Sequence, residues 1–255
     1  MSETNNKDLS GKVALITGAA RNMGRAFAVA LASRGASIVV HYHSDASVTD
    51  AEETARLVKD AGGQTLLVQG DLAVPANAES IFANAKSAFG RIDIVINNAG
   101  LVIKKPIMEC SEEDFDRSFG INAKAAFFVM QQAARCIEDG GRVISMGTSL
   151  LGAFTPMYGV YAGSKAPLED FSRALAKEIG GRGVTVNTVA PGPIDTPFFH
   201  GEENEQSVAY LKAASVTGRL GEIEDIVPTI NFLTAAESQW ITGQTIFVNG
   251  GFVTR

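Results

Sequence analysis

The sequence predicts an α/β protein built on one doubly wound sheet of about seven parallel strands, with helices on both faces. Short runs rich in Val and Ile alternate with longer amphipathic stretches along the whole chain. Those short runs are almost continuously apolar, as strands covered on both faces must be. The first of them leads through a glycine turn straight into a helix. A β-then-α order of this kind joins parallel strands by right-handed crossovers. The 255 residues, 45% of them apolar, suit one large domain with a sizeable core.

The strands are expected at residues 13–17, 38–42, 65–69, 92–97, 142–146, 184–189 and 245–248. Between them the apolar spacing predicts helices over 23–33, 49–61, 76–88, 111–138 (broken near Ile121), 161–179 and 223–234. The first ten residues are polar and mixed in charge, without an apolar signal core, and read as a short flexible leader. Residues 11–255 form the expected domain, and 197–215 the expected lid over its pocket. Ligands collect at the carboxyl ends of strands in such sheets, so functional residues should follow strands directly.

Composition excludes several classes. A net charge of −6 argues against a nucleic-acid partner, whose affinity comes largely from neutralised phosphates. The two cysteines, Cys110 and Cys136, have no metal-ligand or redox spacing and fit a reduced compartment. No apolar run approaches the roughly 20 residues that cross a bilayer. A soluble, cytoplasmic protein is expected, with no membrane partner and no metal site.

The first strand runs into Thr17-Gly18-Ala19-Ala20-Arg21-Asn22-Met23-Gly24, which opens a helix. Such a turn brings backbone N–H groups and a positive helix end against a pyrophosphate, the mark of a Rossmann-type dinucleotide site. A carboxylate closing the second strand would bond ribose hydroxyls and repel a 2′-phosphate. This chain has Tyr42-His43-Ser44 there, with no acid before Asp45, and Arg21 stands in the turn. NADP(H) is therefore the expected cofactor. Further on, Tyr161 and Lys165 stand four residues apart, on one face of a predicted helix. A cation beside a phenol depresses its pKa from about 10 and lets it exchange a proton near neutral pH.

These motifs resemble the short-chain dehydrogenase/reductase family of classical type, most nearly its 3-oxoacyl reductases and related carbonyl reductases, from Lys12 to the end of the chain. Gly18 and Gly24 match the outer glycines of the family's turn, and Asn22, which tolerates positive φ, replaces the middle one. The resemblance implies adenine contact by Asp71 and Leu72, and cofactor contact or sheet bracing by Asn98 and Gly100 within Asn97-Asn98-Ala99-Gly100. It implies a helix-interrupting role and a proton relay for Asn122. Pro191, Gly192, Ile194 and Thr196 would hold the nicotinamide, and Tyr161 and Lys165 would touch it as well as the substrate. The family's carbonyl-binding serine falls by register on Thr148, with Ser149 as the rival by residue type; Ser145 lies three residues earlier. The pocket wall is expected from Leu150, Leu151, Phe154, Met157, Tyr158, Pro193, Phe198, Phe199 and His200.

The resemblance thus implies a hydride-transferring oxidoreductase on a carbonyl or secondary alcohol of ketone or 3-oxoacyl type, with Tyr161 as general acid and base. It also implies a homodimer or homotetramer. An NAD-dependent alcohol or polyol dehydrogenase is the alternative enzyme, and an NADP-sensing protein without turnover the alternative outside enzymes.

Overall fold

The computed structural model describes residues 7–254. One seven-stranded sheet runs in the order β3-β2-β1-β4-β5-β6-β7. The strands are β1 (Val13–Ile16), β2 (Ser37–Tyr42), β3 (Thr65–Gln69), β4 (Ile94–Asn97), β5 (Arg142–Met146), β6 (Thr185–Pro191) and β7 (Thr245–Val248). All six pairings are parallel. The strand order reverses between β1 and β4, and that switch point opens a crevice at their carboxyl ends.

The side-chain period of two divides each strand between two cores. Ala14, Ile16, Ile38, Val40, Ile94 and Ile96 face one side, where they meet α1 (Asn22–Ser33), α2 (Val48–Asp60) and, later in the chain, α10 (Ile223–Thr234). Val13, Leu15, Val39 and Val95 face the other side. There they pack on α3 (Pro75–Phe89), α5 (Ala126–Cys136) and α7 (Pro167–Ile179), through Phe82, Val129, Met130 and Leu175.

The expected helix 111–138 is α4 (Glu112–Phe119), a π-helical segment at Gly120–Ala125, then α5. The expected helix 161–179 begins earlier, as α6 (Gly159–Lys165), and Pro167 opens α7 behind it. The lid region carries α8 (Pro197–His200) and α9 (Glu205–Ala214). The fourth strand starts at Ile94 instead of residue 92, because the Asp93 side chain accepts from the Val13 N–H and pairs with Arg91 and Lys12.

Residues 1–6 of the expected leader lie outside the described residues. Residues 7–10 are held against the domain: Leu9 is buried and Asp8 pairs with Arg34 at 2.5 Å. Among the described residues no helix is long and apolar enough to cross a membrane.

Candidate active site

The turn after β1 is built around two residues with positive φ, Gly18 at 62° and Asn22 at 50°. Asparagine therefore does what a glycine would do at that point. A Cβ on Gly24 would lie 2.4 Å from the Gly18 carbonyl oxygen and 2.8 Å from Asn98 Nδ2, so α1 can approach the turn only with glycine there. Helix α1 starts with no side-chain cap on its first N–H groups, which leaves them available to an anion. Arg21 stands at that end, 69% exposed and only 3.9 Å from Asp50. These donors suit a dinucleotide phosphate.

Two neighbours hold the turn. Asn98 Nδ2 donates to the carbonyls of Thr17 and Gly18 at 3.0 and 3.1 Å, while Thr17 Oγ1 accepts from the N–H groups of Asn98 and Ala99. Of the two roles expected for Asn98, its side chain performs the bracing one. The second neighbour, His41, was not singled out from the sequence. It is buried in β2; its Nδ1 accepts from the Gly18 N–H at 3.1 Å, and its Nε2 faces the Gly70 carbonyl at 2.8 Å. That pattern requires the neutral tautomer with the proton on Nε2. Burial pulls its pKa down to about 4. A histidine inside an otherwise apolar strand was the available signal, since a buried polar group must find partners.

The rim of the crevice holds Tyr42, His43 and Ser44 at the end of β2, with His43 Nδ1 3.7 Å from Asp71 Oδ1. Asp71 itself accepts from the Ala73 N–H at 2.9 Å. The Leu72 side chain is buried in the α3-side core and Met23 packs against the α1-side core. Gly100 has a steric reason for being glycine, because a Cβ would lie 2.9 Å from Asn122 Oδ1 and 3.0 Å from Lys165 Nζ.

Tyr161 and Lys165 share α6, both buried, at the carboxyl end of β5. Lys165 Nζ donates to the Met146 carbonyl, the last residue of β5, at 2.8 Å. Its burial lowers its pKa to about 8. Burial is the largest influence on the Tyr161 phenol and pushes it up to about 12, opposed by the Thr148 side chain.

Thr148 rather than Ser149 thus stands beside the phenol. Ser149 is buried at the start of a short helical turn, and Ser145 is enclosed within β5. Asn122 lies in the π-helical segment. Its Nδ2 donates to the Leu101 carbonyl at 2.8 Å and to Ser164 Oγ at 3.0 Å, and its Oδ1 accepts from the Leu101 N–H. Ser164 in turn donates to the Tyr161 carbonyl at 2.8 Å and meets Ser118 at 2.9 Å. Both serines were missed. Ser164 sits inside the Tyr161–Lys165 motif, between the two residues that the sequence singled out.

Beyond β6, Gly192, Pro193 and Ile194 line a cavity of 290 Å³ shared with Leu211 of α9 and Asn249. Pro191 closes β6, and Ile194 is buried and bridged to Gly221. Thr196 caps α8: its Oγ1 accepts from the Phe199 N–H and donates to the Ile194 carbonyl, both at 3.3 Å. Of the expected wall, Tyr158 is buried near Tyr161, with ring centroids 6.2 Å apart. Phe154 is fully exposed, while Phe198 and Met157 are about two-fifths exposed. His200 Nε2 meets Asp195 at 2.7 Å. A larger cavity of 450 Å³ lies at the opposite end of the sheet, among Asp8, Arg34, Asp93 and Arg142, away from these groups.

Comparison with known proteins places this geometry. A family model described as enoyl-(acyl carrier protein) reductase matches residues 18–253. An NADPH-dependent aldehyde reductase-like chloroplastic protein of Arabidopsis thaliana is 40% identical, over 96% of this chain and 95% of its own. A hydroxynaphthalene reductase-like protein of Metarhizium brunneum is 36% identical, over 99% of both chains. A Burkholderia cenocepacia protein described as a dehydrogenase, solved with bound NADP, superposes with a TM-score of 0.94. It is 49% identical, over 97% of this chain and 95% of its own. With the paired Tyr161 and Lys165 at the head of a parallel sheet, the chain belongs to the short-chain dehydrogenase/reductase family and is an oxidoreductase.

Proposed function

We propose that this enzyme is an NADPH-dependent carbonyl reductase in which Tyr161 delivers the proton. The observation that carries the reading is the buried Tyr161–Lys165 pair on α6, with Thr148 beside the phenol, in the same fold as the uncapped start of α1. NADPH supplies the hydride. The rest falls to side chains of this chain. Thr148 donates to the carbonyl oxygen and stabilises its developing negative charge. Burial pushes the Tyr161 phenol up to about 12, so it is protonated at neutral pH; it gives that proton to the carbonyl oxygen, and the reverse reaction returns it. Lys165, anchored on Met146, holds a positive charge close to that reaction. Asn122 and Ser164 fix α6 so that both groups keep their places, with the relay expected of Asn122 passing along that side of the helix.

The choice of NADP(H) over NAD(H) rests on Arg21 at the helix end and on the missing carboxylate at Tyr42–Ser44. The relatives named as NADPH-dependent or holding NADP point the same way. Asp71 and the Pro191–Thr196 segment are the further candidate contacts for adenine and nicotinamide. The substrate class is a medium-sized ketone, a 3-oxoacyl group or a cyclic carbonyl, in keeping with apolar and aromatic side chains about the pocket. Residues 197–215 act as its lid. In the cytoplasm the protein works as a homodimer or homotetramer, through α5 and α7, where half-exposed Phe127 packs on Phe171.

Consumption of NADPH, followed at its absorbance with a panel of aldehydes, cyclic ketones and aryl ketones, tests the reading. At least one carbonyl should be reduced, with a lower KM for NADPH than for NADH. Preference for NADH would favour the alcohol or polyol dehydrogenase. Cofactor binding without consumption across the panel would leave a sensor.

A further inference from the structure

Three loops meet beside the phenol pair, each following the carboxyl end of a strand. Glu203, between α8 and α9, has a side chain only 1% exposed. Lys104, in the loop after β4, reaches it at 2.5 Å with its own side chain 11% exposed. Tyr158, one residue before α6, donates its hydroxyl to the other oxygen of the same carboxylate. Lys104 Nζ also lies 5.4 Å from the centre of the Tyr158 ring. Two backbone N–H groups close the same seam, Lys105 donating to the Met157 carbonyl at 2.9 Å and Lys104 to the Glu202 side-chain carboxylate at 3.3 Å.

A carboxylate so deeply buried is costly unless each oxygen finds a donor. Here Lys104 and Tyr158 each bond one of its oxygens, and the donors around it hold Glu203 below the usual carboxylate range despite its burial. An apolar pair could hold two loops together at least as well, since buried ion pairs seldom stabilise more than a packed hydrocarbon. What an apolar pair cannot do is fix where a phenol points.

We propose that Glu203 is a positioning residue for substrate: paired with Lys104, it fastens the lid segment across the pocket and commits the Tyr158 hydroxyl. The Tyr158 ring then forms a fixed wall 6.2 Å from the Tyr161 ring, tilted by 58°. The incoming carbonyl meets one free phenol, Tyr161. With the carboxylate gone, Tyr158 becomes a second donor able to hold the carbonyl away from Thr148. The pocket selects a carbonyl compound whose apolar body fits against that ring. This rests on the carbonyl-reductase reading.

Two variants and two readouts test it, on the full chain. Glu203→Gln keeps the size and removes the charge, and should raise KM for the panel carbonyl that the wild type reduces best by about tenfold. Its Kd for NADPH, read by cofactor fluorescence, should not move, and amide exchange over residues 201–215 should quicken. The double variant Lys104→Met with Glu203→Leu should regain slow exchange but keep the raised KM. A KM restored by that apolar pair would reduce the cluster to packing. An unchanged KM and unchanged exchange in Glu203→Gln would overturn the proposal outright. If the wild type consumes no NADPH with any carbonyl, the reductase reading falls and takes the substrate role of Glu203 with it; exchange at 201–215 then decides the clasp alone.

Discussion

Thr148 and Ser149 differ by one position and share a hydroxyl, yet only Thr148 bonds the Tyr161 phenol. Removing that hydroxyl while keeping the shape, as in Thr148→Val, should lower kcat about 10²–10³-fold, the usual effect of losing one donor to a developing oxyanion. Ser149→Ala should stay within a few-fold of wild type in the same assay. A reversed order would move the carbonyl to the other side of the loop. Register counted back from Tyr161 also falls on Thr148. What counting could not reach was environment. The sequence pairs a cation with a phenol, but only coordinates show that Lys165 donates to the Met146 carbonyl and that both side chains are buried.

At the scale of elements, the break in the long helix before β5 is the feature that builds the site. The π-helical turn at Gly120–Ala125 carries Asn122 inward, where it satisfies both backbone groups of Leu101 and reaches Ser164 on α6. Asn122→Ala would orphan those partners, and a buried polar group without a partner costs about 1–3 kcal/mol. Urea unfolding should show a loss of that order with an unchanged slope, and an unmoved midpoint would mean the turn does not depend on this side chain. The strands and most helices were legible because their apolar periods are clean. Helix ends were less so. Pro167 splits the expected 161–179 helix, with Ala166 between the two parts still in helical φ/ψ, and β6 runs on through Pro191, which sits opposite Val248 on the sheet's last pairing. The role of Ser164 was hidden because a small hydroxyl in a helix looks the same whether it faces solvent or a buried network.

Over the whole molecule, buried His41 gives stability a pH dependence of known sign. Its folded pKa, about 4, lies below its ordinary 6.5. As pH falls from about 6.5 to 4, the unfolded chain takes up a proton that the folded chain refuses, so stability declines, by on the order of 3 kcal/mol in full. Carboxylates held low by partners, such as Asp114 and Asp225 at about 2, add their losses further into the acid range. Chemical unfolding across this range should show the His41→Asn variant flatter between pH 6.5 and 4 than wild type; parallel curves would mean His41 ionises freely in the fold. The same residue links three segments of the cofactor turn, which the sequence displayed only as one polar letter in an apolar strand.

The proposed reduction turns on Tyr161 as its proton donor. Replacing it with Phe removes one oxygen and leaves the phosphate turn untouched, so the fluorescence-derived Kd for NADPH should stay near the wild-type value. Turnover of the best carbonyl should fall by about 10²–10⁴-fold, the contribution of a general acid. A Tyr161→Phe enzyme that binds NADPH normally and still turns over within a few-fold of wild type would contradict the account.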